Sequence, residues 1–382
     1  MPFTFQSRLP ATGTSIFSTM SALAKAHKAI NLGQGFPEFD PPKALIDSVY
    51  EYLKKGLNQY APSIGLLSLR EAIASKLEVF NKTRFDPEQE ITVTSGATEA
   101  LFDAILAFCT QGDEVLIIEP AYDSYTPAVL MAGARPVYYR LPEPDFHFDA
   151  LEFRKLISPK TKAILLNNPM NPCGKVWTKS DLDQIEQIVL EYNLLLICDE
   201  VYEHIYFEQA FISMLTYPRL KGHVISVSSF GKTFNNTGWK LGYAVADAAL
   251  MAEFRKVHQF VTFSSFTAAQ AALADQLADH SWYDSLRSMY LSKRNVLTEA
   301  FRTHARELKP SEGTYFQLLR MPSNALGDLE FAEKLVKEAG VAVIPLSPFY
   351  HDAYDPKLLR LCFAKSDDTL KEGARRLCQT LG

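Results

Sequence analysis

Leu194-Leu195-Leu196-Ile197-Cys198-Asp199-Glu200-Val201-Tyr202 opens with five apolar side chains and then breaks on a carboxylate. A short, branched-aliphatic run without polar alternation has the pattern of a strand buried on both faces. Moving outward, six further runs share this texture: Ile91–Thr94, Glu114–Ile118, Pro136–Arg140, Ala163–Leu166, Val224–Val227 and Leu241–Val245. Helix-like stretches lie between many of them, among them Thr98–Cys109 and Asp181–Tyr192. Strand and helix in alternation predict an α/β fold: a large domain whose mostly parallel, seven-stranded sheet is covered by helices.

Beyond Phe260 the texture changes. Long helical stretches occupy about 265–305, and a shorter mixed section follows: Gly313–Leu318, Leu329–Glu338, Val341–Ile344, Leu358–Phe363 and Asp367–Leu377. These predict a smaller α+β domain. The expected division is 1–45 as an N-terminal arm packing with the small domain, 46–285 as the large domain, and 286–382 as the small one. A helix over Ile16–Lys28 and a Gly/Pro-rich crossing over Gly33–Pro42 make up most of the arm.

Composition narrows the function. Apolar residues make up 47% of the 382 and charged residues 22%, an ordinary globular balance for a chain that needs no staples. With 39 Lys+Arg against 44 Asp+Glu there is no basic stripe for nucleic acid. Five scattered cysteines without a C-x-x-C pair argue against a zinc ribbon or a disulfide framework. There is no secretory leader pattern and no 18-residue apolar run, so a soluble cytoplasmic protein is expected, with no metal.

In an open α/β sheet ligands bind beyond the carboxyl ends of the strands. There the sequence offers Ser95-Gly96-Ala97-Thr98-Glu99, then Asn167-Asn168-Pro169-Met170-Asn171-Pro172, then Asp199 to Tyr202, and then Ser228-Ser229-Phe230-Gly231-Lys232-Thr233. Small residues opening a helix suit an anion, although an ordinary helix capped by Ser95 or Thr98 would use the same residues. Asp199, directly after an apolar run, needs a cation or strong donors; a protonated cofactor ring or a structural ion pair would both serve. Gly231-Lys232-Thr233 is not a P-loop, because Ser226 stands where the first glycine belongs.

Together these segments resemble the class I (fold type I) pyridoxal-phosphate-dependent aminotransferases. The likeness runs from Asn31-Leu32-Gly33-Gln34-Gly35-Phe36-Pro37 to Arg360-Leu361-Cys362-Phe363-Ala364. It is most specific at Ser228–Phe234 and Thr237-Gly238-Trp239-Lys240-Leu241-Gly242. Ile16-Phe17, Asn58–Pro62, Tyr122–Tyr125 and His258–Phe260 are closest to the methionine and kynurenine (glutamine-transaminase-K-like) branch. The resemblance implies that Lys232 holds pyridoxal 5'-phosphate as a Schiff base and carries the reaction's proton. Asp199 would pair with the ring nitrogen, Asn171 and Tyr202 with the phenolic oxygen, and Tyr122 would stack on the ring. Gly96, Ala97, Thr98, Ser229 and Lys240 would hold the phosphate, with Tyr60 reaching it from the second subunit of a homodimer. Arg360 and the Gly35 backbone would take the substrate carboxylate. Lys240 stands where many members have arginine, and Ala121 where relatives often have an aromatic.

Phe17, Tyr60, Tyr122, His258 and Phe263 suggest an aromatic-lined pocket without a clamp for a second carboxylate. The implied reaction moves the amino group of a hydrophobic or aromatic amino acid (methionine first, then Phe, Tyr, Gln, His or kynurenine) to a 2-oxo acid in a ping-pong cycle. A cysteine-conjugate C–S β-lyase is the alternative, and a non-catalytic binding protein on the same fold is a remote one. No nucleic acid or membrane partner is expected.

Overall fold

The computed structural model describes residues 3–10, 12–322 and 326–381. Among them the strands, in chain order, are β1 (Ile30–Asn31), β2 (Ile91–Thr94), β3 (Glu114–Glu119), β4 (Arg135–Arg140), β5 (Thr161–Asn167) and β6 (Leu195–Asp199). Then come β7 (Val224–Ser229), β8 (Gly242–Ala246), β9 (Phe316–Arg320), β10 (Val341–Ala342), β11 (Ile344–Pro345) and β12 (Leu358–Cys362). The seven apolar runs are the seven strands of the large sheet, in the order β2-β8-β7-β6-β5-β3-β4. Strands β3 to β7 pair in parallel, whereas β8 runs antiparallel to both its neighbours, β2 and β7. Two antiparallel pairings restore direction, so β2 ends on the same edge as β5, β6 and β7.

Period-two alternation divides each apolar run between two cores. Val115, Ile117, Ala163, Leu165, Leu195, Ile197, Ile225 and Val227 point to one face, under the helices Ala97–Phe108, Tyr125–Met131 and Ala248–Val261. Leu116, Ile118, Ile164, Leu166, Leu196 and Cys198 belong to the core on the other face. Strands β5 and β7 extend one and two residues past their apolar runs, into Asn167 and Ser229. Backbone pairing continues there, Asn167 opposite Asp199 and Ser229 opposite Gly242, after the side chains have turned polar.

The C-terminal part is built on a three-stranded antiparallel sheet, β11-β12-β9. The N-terminal segment joins it: β1 pairs in parallel with β10, and Cys362 N–H donates to Leu32 C=O at 2.6 Å. The division expected at 285/286 falls inside an uninterrupted helix, Ser281–Arg302. Its first half grips the large domain, with Trp282 Nε1 donating to Thr233 C=O (2.8 Å) and Tyr290 Oη to Asn235 Oδ1 (2.7 Å). This helix therefore braces the one-turn helix Phe230–Thr233 that carries Lys232.

Candidate active site

A cavity of about 350 Å³ lies at the carboxyl edge of β2, β5, β6 and β7, roofed by β12 and the crossing at 34–36. Phe17, Gly35, Gly96, Ala97, Thr98, Tyr122, Asn171, Asp199, Tyr202, Ser229, Lys232, Lys240 and Arg360 all line it. Residues scattered over most of the chain meet here because the sheet brings its strand ends to one edge.

Asp199 ends β6 and is buried. One carboxylate oxygen accepts the Tyr125 hydroxyl at 2.6 Å and the other the Val201 N–H at 3.3 Å. Burial pushes its pKa up, while the Tyr125 and Val201 donors and the charge of Lys232 pull the other way. Among the described residues no cation comes within ion-pair distance of it. A buried carboxylate with only neutral donors fits a cationic group entering from the cavity.

Lys232 Nζ donates to the Tyr315 hydroxyl at 2.9 Å, and that hydroxyl donates to Gly35 C=O at 2.7 Å. Burial lowers the pKa of the amine to about 8, against the pull of Asp199. Tyr202 is buried edge-on to Tyr315, ring centroids 5.1 Å apart, with Lys232 Nζ 5.6 Å from its ring centre. The Tyr122 phenol is also desolvated, its pKa pushed up to about 12, so it stays neutral.

The turn after β2 is capped by neither Ser95 nor Thr98. Gly96 is the N-cap, at φ 84°, and no side chain accepts from the first turn of Ala97–Phe108. The positive φ requires glycine, and a bare helix start facing a cavity suits an anion. A Cβ added to Gly96 would lie 3.5 Å from Lys240 Nζ, so glycine keeps the turn open beside that cation. Gly242 closes the other side: a Cβ there would meet Ser228 C=O at 2.6 Å and Ala97 N at 3.0 Å.

Arg360 on β12 is 1% exposed. Nη1 donates to Asn171 Oδ1 (2.8 Å), Nη2 to Gly33 C=O (3.0 Å), and the buried Nε has no partner. The guanidinium lies 3.8 Å from the Phe316 ring centre and 5.0 Å from that of Phe17. Of the three buried arginines, Arg70 and Arg294 reach Glu88 and Glu208, whereas Arg360 reaches no carboxylate among the described residues. A desolvated guanidinium without a carboxylate partner has the chemistry to pair with an incoming carboxylate.

The aromatic lining expected from sequence needs correction. His258 is buried 1% exposed against Glu99 and Asp103 and does not line the cavity. Tyr60 (81% exposed) and Phe263 (52%) pack edge-on at 5.3 Å away from the cavity of their own chain, an arrangement compatible with the expected reach of Tyr60 into a second subunit. Phe17 and Tyr122 do line the cavity as expected, joined by Phe36, Tyr202 and Phe316. Sequence reasoning also passed over Tyr125, Tyr315, Asn167 and Phe316. Asn167 was visible at a strand end, and Tyr125 within Tyr122–Tyr125. Tyr315 carries no local signal, because its partner Lys232 is 83 residues away along the chain.

Residues 27–377 match the family described as aminotransferase class I and II. The chain is 47% identical to methionine aminotransferase of Escherichia coli over 381 residues, covering 99% of both chains. It is 32% identical to mouse kynurenine–oxoglutarate transaminase 1, covering 94% of each. Among solved structures it is similar to an E. coli protein described as having a methionine aminotransferase function (TM-score 0.96, 46% identity, 99% of this chain and 100% of that one). It is also similar to N-succinyldiaminopimelate aminotransferase of Mycobacterium tuberculosis (TM-score 0.94, 38% identity, 99% and 100%).

Proposed function

The chain belongs to the class I and II aminotransferase family, and on that premise we propose that it takes the amino group from a hydrophobic or aromatic L-amino acid, methionine foremost, and delivers it to a 2-oxo acid. It is a pyridoxal-phosphate-dependent enzyme of fold type I. The cavity suits that cofactor: an uncompensated buried carboxylate at Asp199, an open anion turn at Gly96 beside Lys240, and a depressed lysine at Lys232.

We assign Lys232 as the covalent attachment point, Asp199 as partner of the ring nitrogen, and Asn171 and Tyr202 as donors to the ring oxygen. Tyr122 would lie against the ring, and Gly96, Ala97, Thr98, Ser229 and Lys240 would hold the phosphate. When bound, the cofactor supplies an electron sink that stabilises negative charge at the substrate Cα. Lys232, whose amine burial makes substantially neutral above its pKa of about 8, would take the proton from the substrate Cα and carry it to the cofactor carbon that receives the amino group. Tyr315 orients that amine from 2.9 Å and is itself held by Gly35 C=O. Arg360, steadied by Asn171, fixes the α-carboxylate and so aims the Cα–H bond at Lys232.

One observation carries the substrate class. Among the described residues lining the cavity the cations are Lys232, Lys240 and Arg360. With the two lysines engaged by cofactor, this chain contributes a single guanidinium, enough for a single carboxylate, and Phe17, Tyr122 and Phe316 form apolar walls. The name of the 47% identical relative supports methionine within that class. The test is the absorbance of the cofactor-loaded protein as methionine is added without a 2-oxo acid. The visible band should bleach as a near-ultraviolet band grows, and a 2-oxo acid should reverse it. A visible band unmoved by methionine, phenylalanine and kynurenine alike would overturn the substrate reading. Pyruvate release from a cysteine conjugate without such bleaching would favour β-elimination.

We infer further that the enzyme is a homodimer. The segments 59–61 and 264–267 are bound together by Thr267 Oγ1 to Gln59 C=O (2.6 Å) and Ser264 Oγ to Ala61 C=O (3.0 Å). Around them Tyr60, Phe260, Phe263 and Phe266 are exposed, which supports a second chain covering them. No helix among the described residues is long and apolar enough to cross a membrane, and our reading of the chain as cytoplasmic draws on its five free cysteines.

A further inference from the structure

Buried Asp103 and His258 and half-buried Glu99 form a cluster behind the cavity that the reaction above does not use. His258 Nδ1 lies 2.7 Å from Glu99 Oε1 and 3.1 Å from Asp103 Oδ2, and Nε2 lies 2.8 Å from Ser63 C=O. Glu99, whose pKa lies below the usual carboxylate value, and the Ser63 carbonyl are acceptors, one at each ring nitrogen, so both nitrogens carry hydrogen and the ring is an imidazolium; Asp103, desolvated beside Glu99 and raised to about 7, is the weaker of the two acids facing it. Phe254 packs alongside at 6.0 Å between ring centres, 17° from parallel. Burial alone would discharge the ring, but the two carboxylates prevail and lift its pKa to about 10.

Two connections lead from this ring to the cavity. Glu99 Oε2 accepts the Ser95 N–H at 2.8 Å, which fixes the start of the turn whose next residue is the cap Gly96. Ser63 follows closely on Tyr60, and the next residue, Ile64, accepts the N–H of Val93 in β2 at 3.0 Å. Electrostatics adds a third reason. Glu99 is the acid in the first turn of Ala97–Phe108, and alone it would repel a phosphate at that helix start. His258 supplies the opposing charge from within contact distance.

We propose that His258 is a positioning residue for the cofactor phosphate: through Glu99 it holds the Ser95–Gly96 turn and offsets the adjacent acid, and through Ser63 it fixes the segment that bears Tyr60. The inference rests on the cofactor placement given under the proposed function. The test compares wild type with His258→Gln for the affinity of pyridoxal phosphate and of pyridoxal, which lacks the phosphate. Loss of charge-assisted hydrogen bonds at the turn should weaken pyridoxal phosphate about tenfold or more. Pyridoxal affinity should hold within about twofold. Equal weakening of both ligands, or no weakening, would overturn the proposal, since a residue serving only the fold would not discriminate between them. A wild-type chain that binds pyridoxal phosphate no better than pyridoxal would overturn the cofactor placement itself. Should the variant fail to fold, ¹⁵N spectra of histidine rings in the wild-type holoenzyme at pH 9 decide the matter. A ring protonated on both nitrogens is expected, and its absence would remove the charge on which the proposal depends.

Discussion

Lys232 shows how far one side chain can be taken from burial alone. Desolvation brings its pKa to about 8, and the charges of Arg360 and Lys240 push the same way while Asp199 resists. Only the neutral amine attacks an aldehyde, so the rate at which cofactor-free protein captures pyridoxal phosphate should climb with pH through about 8 and flatten above 9. Stopped-flow absorbance measures this directly; a rate still climbing at pH 10.5 would mean that the amine titrates like an exposed lysine. The linked stability runs in the same direction. Between about 8 and 10.5 the unfolded chain holds a proton on this group that the folded chain lacks, so its contribution to cofactor-free stability rises with pH across that window. Lys232 and Asp199 were legible because Asp199 terminates an apolar strand and Lys232 follows three residues after the end of another. Tyr125 and Tyr315 were not, because what distinguishes them from core tyrosines is the carboxylate and the amine they meet, 74 and 83 residues away.

At the scale of elements, β8 does more than complete the sheet. Gly242 is paired on one side with Thr94 and on the other with Ser229, so it sits between the two segments assigned to the phosphate. In Gly242→Ala the new Cβ would press on backbone atoms of Ser228 and Ala97, neither of which can rotate away. Overpacking of this kind costs about 1–3 kcal/mol. The expected outcome is a lower thermal midpoint together with weaker cofactor binding. Gly238→Ala is the control, since a Cβ there meets nothing within 4 Å. Equal behaviour of the two variants in thermal scans and cofactor titrations would show that β8 does not shape the turn. The strands themselves were readable because two-sided burial leaves a dense apolar run. The direction of β8 was not, because an apolar run reads the same whichever way it is threaded. Gly96 as cap escaped for a related reason: propensity favours Ser or Thr, and an open anion turn inverts that preference. His258 was misplaced because a histidine near aromatic residues reads as pocket lining, whereas its partners Glu99 and Asp103 lie on a helix some 150 residues earlier in the chain.

For the whole molecule, the position of Tyr60 matters most. It is 81% exposed, packs on Phe263 and does not line the cavity of its own chain, yet its phenol is the group assigned to a neighbour's phosphate. If the assignment holds, the chain sediments at about twice 42.9 kDa. Tyr60→Ala should then weaken pyridoxal phosphate by roughly tenfold, the worth of one hydrogen bond to a charged group. Mixing separates reach across the dimer from an effect within one chain. In a heterodimer of Tyr60→Ala with Lys232→Ala, the site that keeps Lys232 receives its tyrosine from the Lys232→Ala chain. That site is then wild type in every contributed group, whereas the other site lacks both. After unfolding and refolding an equal mixture, half the dimers are mixed, so about a quarter of all sites should recover full cofactor affinity. Titration of the refolded mixture would show this as a tight-binding fraction that neither parent possesses. Were Tyr60 to act within its own chain, every site retaining Lys232 would still lack its tyrosine, and no tight fraction would appear.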